Sequence, residues 1–313
     1  MSSPEAVEHL HFGHEVFERE FDREPFGFTH QLHMLDLFSP EALRRLTAKY
    51  ERCPEDYFVS SSASTPGTRF FSVPFSKLAP LAALDALATG QYRILLKRLE
   101  DHDPQFRELL QQTFRQVIDQ CGGLRGARVE RLERLESALF ISSGATITPF
   151  HFDPEINFFA QIEGQKRYHV YSPKVVSDIE LERFYVRGKL EIGQIDLDGR
   201  DAAHEHVFQL GPGKGLHQPQ NAPHWVETGA TRSISYSIVF ETDAMRAAGR
   251  ARGCNHYLRK LGISPAGPGR SSVRDAMKSQ AMLAVTPLRN HAGAILRGAR
   301  GRGVGAAEPR GMP

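Results

Sequence analysis

Between Arg128 and Thr242 the chain breaks into short runs rich in Val, Ile, Phe and Tyr, parted by Gly, Pro or Asn. Examples are Ser137–Ser142, Asn157–Ile162, Arg167–Tyr171, Val207–Leu210 and Ser233–Glu241. Each run is strand-length, and the turn signals between them predict an antiparallel sandwich or barrel. No alternation of strand and helix suggests a parallel sheet. Gly211-Pro212-Gly213-Lys214-Gly215 resembles half a phosphate loop, but no Gly-Lys-Ser/Thr follows it.

The flanks read differently. Residues 1–126 are a mixed, partly helical region, 127–243 the β core, and 244–313 a set of helices with a basic tail. Ser39-Pro40-Glu41 has a capping serine and a proline at the first helical position, with Leu43, Leu46 and Tyr50 at helical spacing behind it. Asp103-Pro104 opens a second helix with Phe106, Leu109, Leu110, Phe114, Val117, Ile118 and Cys121 on one stripe, closed by Gly122-Gly123. Helix returns over about 244–261. After the linker Pro265–Gly269, residues 271–296 hold one or two helices with a break near Pro287, and past Gly298 the composition predicts disorder.

Thr148-Pro149-Phe150-His151-Phe152-Asp153 carries the first sign of chemistry. A spacing of two on a strand places His151 and Asp153 on one face. One further imidazole would complete a facial triad, which leaves positions open on iron(II) for a chelating cosubstrate and O2. The pair alone is weak: His-x-Asp turns up by composition roughly once in a chain this size, and it also reads as two polar residues at a sheet end. The next segment sharpens it. With Glu163-Gly164 as a two-residue turn, Gln161 faces Lys166 and Phe159 faces Tyr168. Asn157 and Lys166 then project to the same side as His151 and Asp153. A lysine inside a barrel is costly without an anionic partner, and an acidic cosubstrate would supply one. A register slip would turn Lys166 to solvent instead.

The third ligand is expected in Asn221-Ala222-Pro223-His224-Trp225-Val226-Glu227. His224 opens an apolar strand; its rival, His217, sits among turn residues. Trp225 reads either as pocket lining or as core. His9, His11 and His14 read as a solvated N-terminus. His204-Glu205-His206 has ligand types but no evident third partner.

Taken together, Thr148-Pro149, His151-x-Asp153, Asn157–Ile162, Gly164 with Lys166, and Pro223-His224 resemble the jumonji-C and cupin-like oxygenases. They are especially similar to the asparaginyl hydroxylase that inhibits hypoxia-inducible factor. The resemblance covers roughly Ser137 to Thr242. It implies a double-stranded β-helix of the cupin or jelly-roll kind, with an N-terminal α/β flank and C-terminal helices. It implies iron(II) on His151, Asp153 and His224, which are then the catalytic centre. It implies 2-oxoglutarate as cosubstrate, its far carboxylate held by Lys166 and Thr148 with Asn157 nearby. The activity implied is hydroxylation with O2, giving succinate and CO2; hydroxylation next to nitrogen would give demethylation. One departure stands out. Val239 falls where that hydroxylase has a second asparagine, and Ser235 or Ser237 shares its side-chain parity.

Three classes of function stay open at this point. The leading one is an oxygenase acting on a side chain of a protein, peptide or carrier-bound amino acid, with a small-metabolite hydroxylase as its variant. The others are a cupin that binds metal without turnover, and a zinc or manganese cupin isomerase or hydrolase; Lys166 fits neither of these well. The bulk properties fit a soluble enzyme, with 40% apolar and 24% charged residues. Met1–Phe12 lacks the pattern of a signal peptide, no long apolar run suggests a membrane span, and the three cysteines lie far apart. These point to reduced thiols and a cytoplasmic location. Residues 265–313 carry eight Lys/Arg against Asp275 and Glu308, while the whole chain is only +2, so the body is mildly acidic. The basic tail lacks the interleaved aromatics of single-strand binders, which argues against nucleic acid. The C-terminal helices are the candidate element for a homodimer.

Overall fold

A computed structural model describes residues 8–61, 64–122, 131–187 and 192–285. Among the described residues, twelve strands form two antiparallel sheets. In chain order they are β1 (Leu10–His11), β2 (Phe26–His30), β3 (Tyr57–Ser61), β4 (Tyr92–Lys97), β5 (Leu132–Ser142), β6 (Ile147–Phe152), β7 (Ile156–Glu163), β8 (Lys166–Tyr171), β9 (Glu205–Leu210), β10 (Lys214–Gln218), β11 (Pro223–Thr228) and β12 (Ser233–Thr242). The large sheet runs β1-β2-β10-β7-β12-β5-β4-β3 and the small one β6-β11-β8-β9. From β5 to β8 the chain alternates between the sheets, and it does so again from β9 to β12. That is the winding of a double-stranded β-helix, as the motif resemblance implied.

The crossing from β7 to β8 corrects one expectation. These strands do not pair with each other. β7 pairs with β10 and β12, and β8 with β11 and β9. The segment around Gly164 is a corner between sheets, not a hairpin turn. Gly164 takes φ +71, and a Cβ there would sit 2.2 Å from the Arg232 carbonyl oxygen, so glycine is required twice over. Lys166 nevertheless faces inward. It pairs with Thr228, Tyr168 with Val226 and Val170 with His224, and Tyr168, Val170 and Val226 lie in the inter-sheet core.

That core also holds Phe159, Leu210, Leu216 and Ala222, with Phe140 and Phe208 packed against it. The outer face of the large sheet is covered as well. Phe17, on α1 (His14–Glu20), stacks on Phe158, and Phe38 meets Tyr236. Phe114 meets Phe240 from a long helix, Pro104–Gly122, labelled α5 below after α2 (Pro40–Lys49), α3 (Pro80–Asp85) and α4 (Leu99–His102). Both helix starts expected from sequence are present. Ser39 Oγ accepts from the Ala42 N–H at the head of α2, and Asp103 Oδ1 accepts from the Gln105 N–H at the head of α5.

The N-terminal flank is more β than its sequence suggests. β1 and β2 extend the large sheet beside β10, and β4 and β3 extend it beside β5. The chain accordingly divides into two compact units, 1–177 with 191–244, and 178–190 with 245–313. The boundary expected at 126/127 falls outside the described residues and within the first unit. The second unit contains α6 (Asp178–Tyr185), most of α7 (Asp243–Lys260) and a helix over 272–285. Inside it Arg259 Nε donates to Glu182 Oε2 at 2.6 Å, and the Tyr185 ring packs so closely on Gly249 that a Cβ there would lie 2.6 Å away. The break expected near Pro287 and the tail past Gly298 lie outside the described residues. No described helix is long and apolar enough to cross a membrane.

Candidate metal centre

β6 and β11 pair side by side, with His224 directly opposite His151. The two imidazole rings are 4.1 Å apart between centroids. Asp153 follows the end of β6 and completes the group. His151 Nε2 lies 3.8 Å from Asp153 Oδ1, and His224 Nε2 lies 3.6 Å from Asp153 Oδ2. One ligand atom from each residue falls within 4.8 Å of the others; among the described residues this is the one such group. His204, Glu205 and His206 do not converge. Glu205 instead accepts from His169 Nδ1 at 2.8 Å.

The two histidines are set for ligation in the same way. His151 Nδ1 meets the Pro149 carbonyl at 2.7 Å, and His224 Nδ1 meets the Ala222 carbonyl at 3.2 Å. A carbonyl only accepts, so each Nδ1 carries the proton and each Nε2 presents its lone pair to the centre. Burial reinforces this. It lowers His151 to about 4, and it lowers His224 to about 3 with the charge of His151 adding to the effect. Both rings are neutral at neutral pH. Asp153 is pushed up by burial and held down by His224 and by the Gln218 amide beside it. A divalent cation would reverse that balance in favour of the carboxylate. The donor set, two neutral imidazoles and one carboxylate, fits an octahedral metal with open positions.

Two aromatic rings wall the site. Tyr168 stacks on His224 at 5.3 Å and donates its hydroxyl to Gln218 Oε1 at 2.6 Å. Phe70 lies over His151 at 4.5 Å, its backbone N–H held by Gln194 Oε1. Nearby, Arg134 is ringed by Glu241 at 2.7 Å, Glu136 at 3.0 Å and Glu155 at 3.6 Å. Burial and the adjacent Asp153 push Glu155 up to about 8, with the charge of Arg134 acting the other way.

Deeper in, the remaining expected residues share the interior. Asn157 is buried opposite Val239, and Ser237 Oγ donates to its Oδ1 at 2.7 Å. Ser235 takes a different partner, Gln161, at 2.7 Å. Thr148 reaches the inner face through a bulge. β11 advances two residues from His224 to Val226 while β6 goes three, from His151 to Thr148. Lys166 is 7% exposed, and its ammonium sits 5.1 Å from the Phe159 ring centre and 5.8 Å from that of Phe140. No carboxylate lies within ion-pair reach of it among the described residues. Burial, then the charge of Arg93, lowers Lys166 to about 7.

His217 takes no part. It is buried on the opposite face of β10 among Phe21, Phe26 and Phe158, and its Nε2 accepts from the Asp22 N–H. Trp225 faces away from the centre and stacks on His169 at 3.7 Å. His9 is buried against Gln112 and Gln116, unlike His11 and His14, so the solvated reading fails for it.

Sequence reasoning missed Arg93, Phe70, and the Tyr168–Gln218 pair. Arg93 had a local signal in the alternation of Tyr92–Lys97, whereas nothing near Phe70 in the sequence marks its contact with His151.

The family described as cupin-like domain matches residues 37–243, two thirds of the chain. The chain belongs to the cupin-like family. Among solved structures, the cupin-like chain resembles Escherichia coli YcfD at 18% identity and a TM-score of 0.48, covering 90% of this chain and 69% of that one. A structure described as YcfD, a ribosomal oxygenase from Escherichia coli, in complex with cobalt and 2-oxoglutarate matches at the same identity and TM-score. There the coverage is 87% of this chain and 65% of that chain, just under two thirds. No curated protein matches the sequence.

Proposed function

We propose that this cupin-like protein is an iron(II)- and 2-oxoglutarate-dependent oxygenase that hydroxylates a side chain of a protein, peptide or carrier-bound amino acid. One observation carries the reading: a His-Asp-His group and an unpaired, buried lysine open into the same barrel interior. A cupin that only binds metal has no use for such a lysine. When bound, the iron and 2-oxoglutarate supply with O2 the oxidising power for the C–H bond, with succinate and CO2 as coproducts.

The chain's own residues do the holding and the shielding. His151 and His224 offer Nε2 because their Nδ1 protons are engaged with carbonyls. Asp153 supplies the one negative ligand, supported by Gln218. Lys166 meets the distal carboxylate, with Thr148 on the same face and Asn157 held in place by Ser237. Phe70 and Tyr168 keep water from the imidazoles.

The test is succinate release from 2-oxoglutarate by protein given iron(II), ascorbate and air. The parent is expected to form succinate slowly without any added substrate, and His151→Ala to form none while also losing Mn(II) binding in a calorimetric titration. Equal succinate from both proteins would remove the site assignment. Proteome digests treated with the parent are expected to show new 16 Da additions; additions confined to free metabolites would sink the polypeptide assignment.

A further inference from the structure

Arg93 lies on β4, outside the eight strands of the double helix, yet it points into their interior. It pairs with Ser142 on β5, whose inward neighbours are Phe140 and Ala138. Its Nη1 donates across to the small sheet, to the Ile147 carbonyl at 2.8 Å, one residue before Thr148. Its Nε is buried without any hydrogen-bond partner. No carboxylate pairs with it among the described residues.

Three hydroxyls connect this arginine to Lys166. Ser142 Oγ lies 3.3 Å from Thr228 Oγ1, and Thr146 Oγ1 donates to Thr228 Oγ1 at 3.1 Å. Thr228 is the cross-strand partner of Lys166. Two cations and a strip of hydroxyls therefore line one end of the interior, with no anion among the described side chains. The charge of Arg93 is felt at Lys166, so the two cations stand within electrostatic reach of each other. Two like charges turned inward, Lys166 buried and Arg93 half-buried, are tolerated where something negative normally sits against them. A guanidinium suits a carboxylate because its side-on edge offers two parallel N–H donors. With Nη1 engaged by Ile147, the edge formed by Nε and Nη2 is the one left for a ligand.

We infer that Arg93 is a second cosubstrate-binding residue, gripping together with Lys166 the carboxylate that points away from the metal. This rests on the oxygenase reading above. It makes the pocket selective for 2-oxo acids that carry a distal carboxylate.

The experiment titrates Mn(II)-loaded protein, which cannot turn over, with 2-oxoglutarate and with 2-oxopentanoate. The second acid has the same length but ends in a methyl group. Arg93→Met is expected to weaken 2-oxoglutarate at least about tenfold and to leave 2-oxopentanoate within about twofold. Arg93→Lys, which keeps the charge but not the fork, should fall between parent and Arg93→Met. Should Arg93→Met fail to fold, Arg93→Lys decides by the same contrast between the two acids. Equal weakening of both acids means that Arg93 merely holds Ile147 in place, and it overturns the inference; so does unchanged affinity for both. A parent that binds neither acid overturns the oxygenase reading itself, and this role with it.

Discussion

Lys166 is the residue whose state is most sensitive to what fills the barrel. Its ammonium meets two aromatic faces and no anion, and its pKa falls to about 7. In the unfolded chain it returns to the ordinary lysine range, near 10.5. Between about 7 and 10.5 the unfolded state holds more protons, so this group's contribution to stability improves as pH rises and its penalty is complete below about 7. Lys166→Met is therefore expected to stabilise the metal-free, ligand-free protein by about 1–4 kcal/mol near pH 6. The gain should shrink toward pH 10 in urea unfolding; a constant gain would mean that the lysine titrates in the fold as it does in the unfolded chain. Binding of 2-oxoglutarate restores the charge, so its affinity is expected to drop above pH 7 in the parent and lose most of that slope in the variant. Residues of this kind differ in how far sequence exposes them. His151 stands near the end of a strand with Asp153 two positions on, just past it, and His224 opens another, so spacing and strand pattern are enough to pick out the three. They are not enough for Arg93: the alternation of its own segment marks a strand, but Ile147 and Lys166, which tie it to the site, lie more than fifty positions further on.

At the scale of elements, what was legible was what local chemistry dictates. Ser39 and Asp103 head helices because their side chains satisfy N–H groups that the first turn leaves bare. Ser39→Ala is expected to cost about 1 kcal/mol in urea unfolding, and no loss would mean that tertiary contacts alone hold α2. Strand pairing was less legible. β7 and β12 are buried on both faces for nearly their whole length, so they show no alternation from which a register could be read. The corner at Gly164 looks in sequence like a tight hairpin because glycine serves both purposes. Gly164→Ala is expected to destabilise the protein by more than about 1 kcal/mol, since it meets both the positive φ and the Arg232 carbonyl. A variant as stable as the parent would show that the corner can move.

For the whole molecule, the sequence showed a β-helix but hid the width of its sheet. Four strands from the N-terminal flank complete the large sheet on both sides. Residues 127–243 expressed alone would bare the edges of β10 and β5 and the outer phenylalanines, and are expected to aggregate or to give no dispersed amide spectrum. A well-folded fragment would mean that those outer strands are decoration. The layout has a further consequence. His151, His224 and Lys166 come from one sheet, while Asn157 and Arg93 come from the other. The centre thus spans the gap like the jaws of a caliper, and its bite follows the distance between the sheets. Trimming Phe17 to leucine, on the far side of the large sheet, should therefore weaken 2-oxoglutarate binding while cobalt bound at the triad keeps its absorption band.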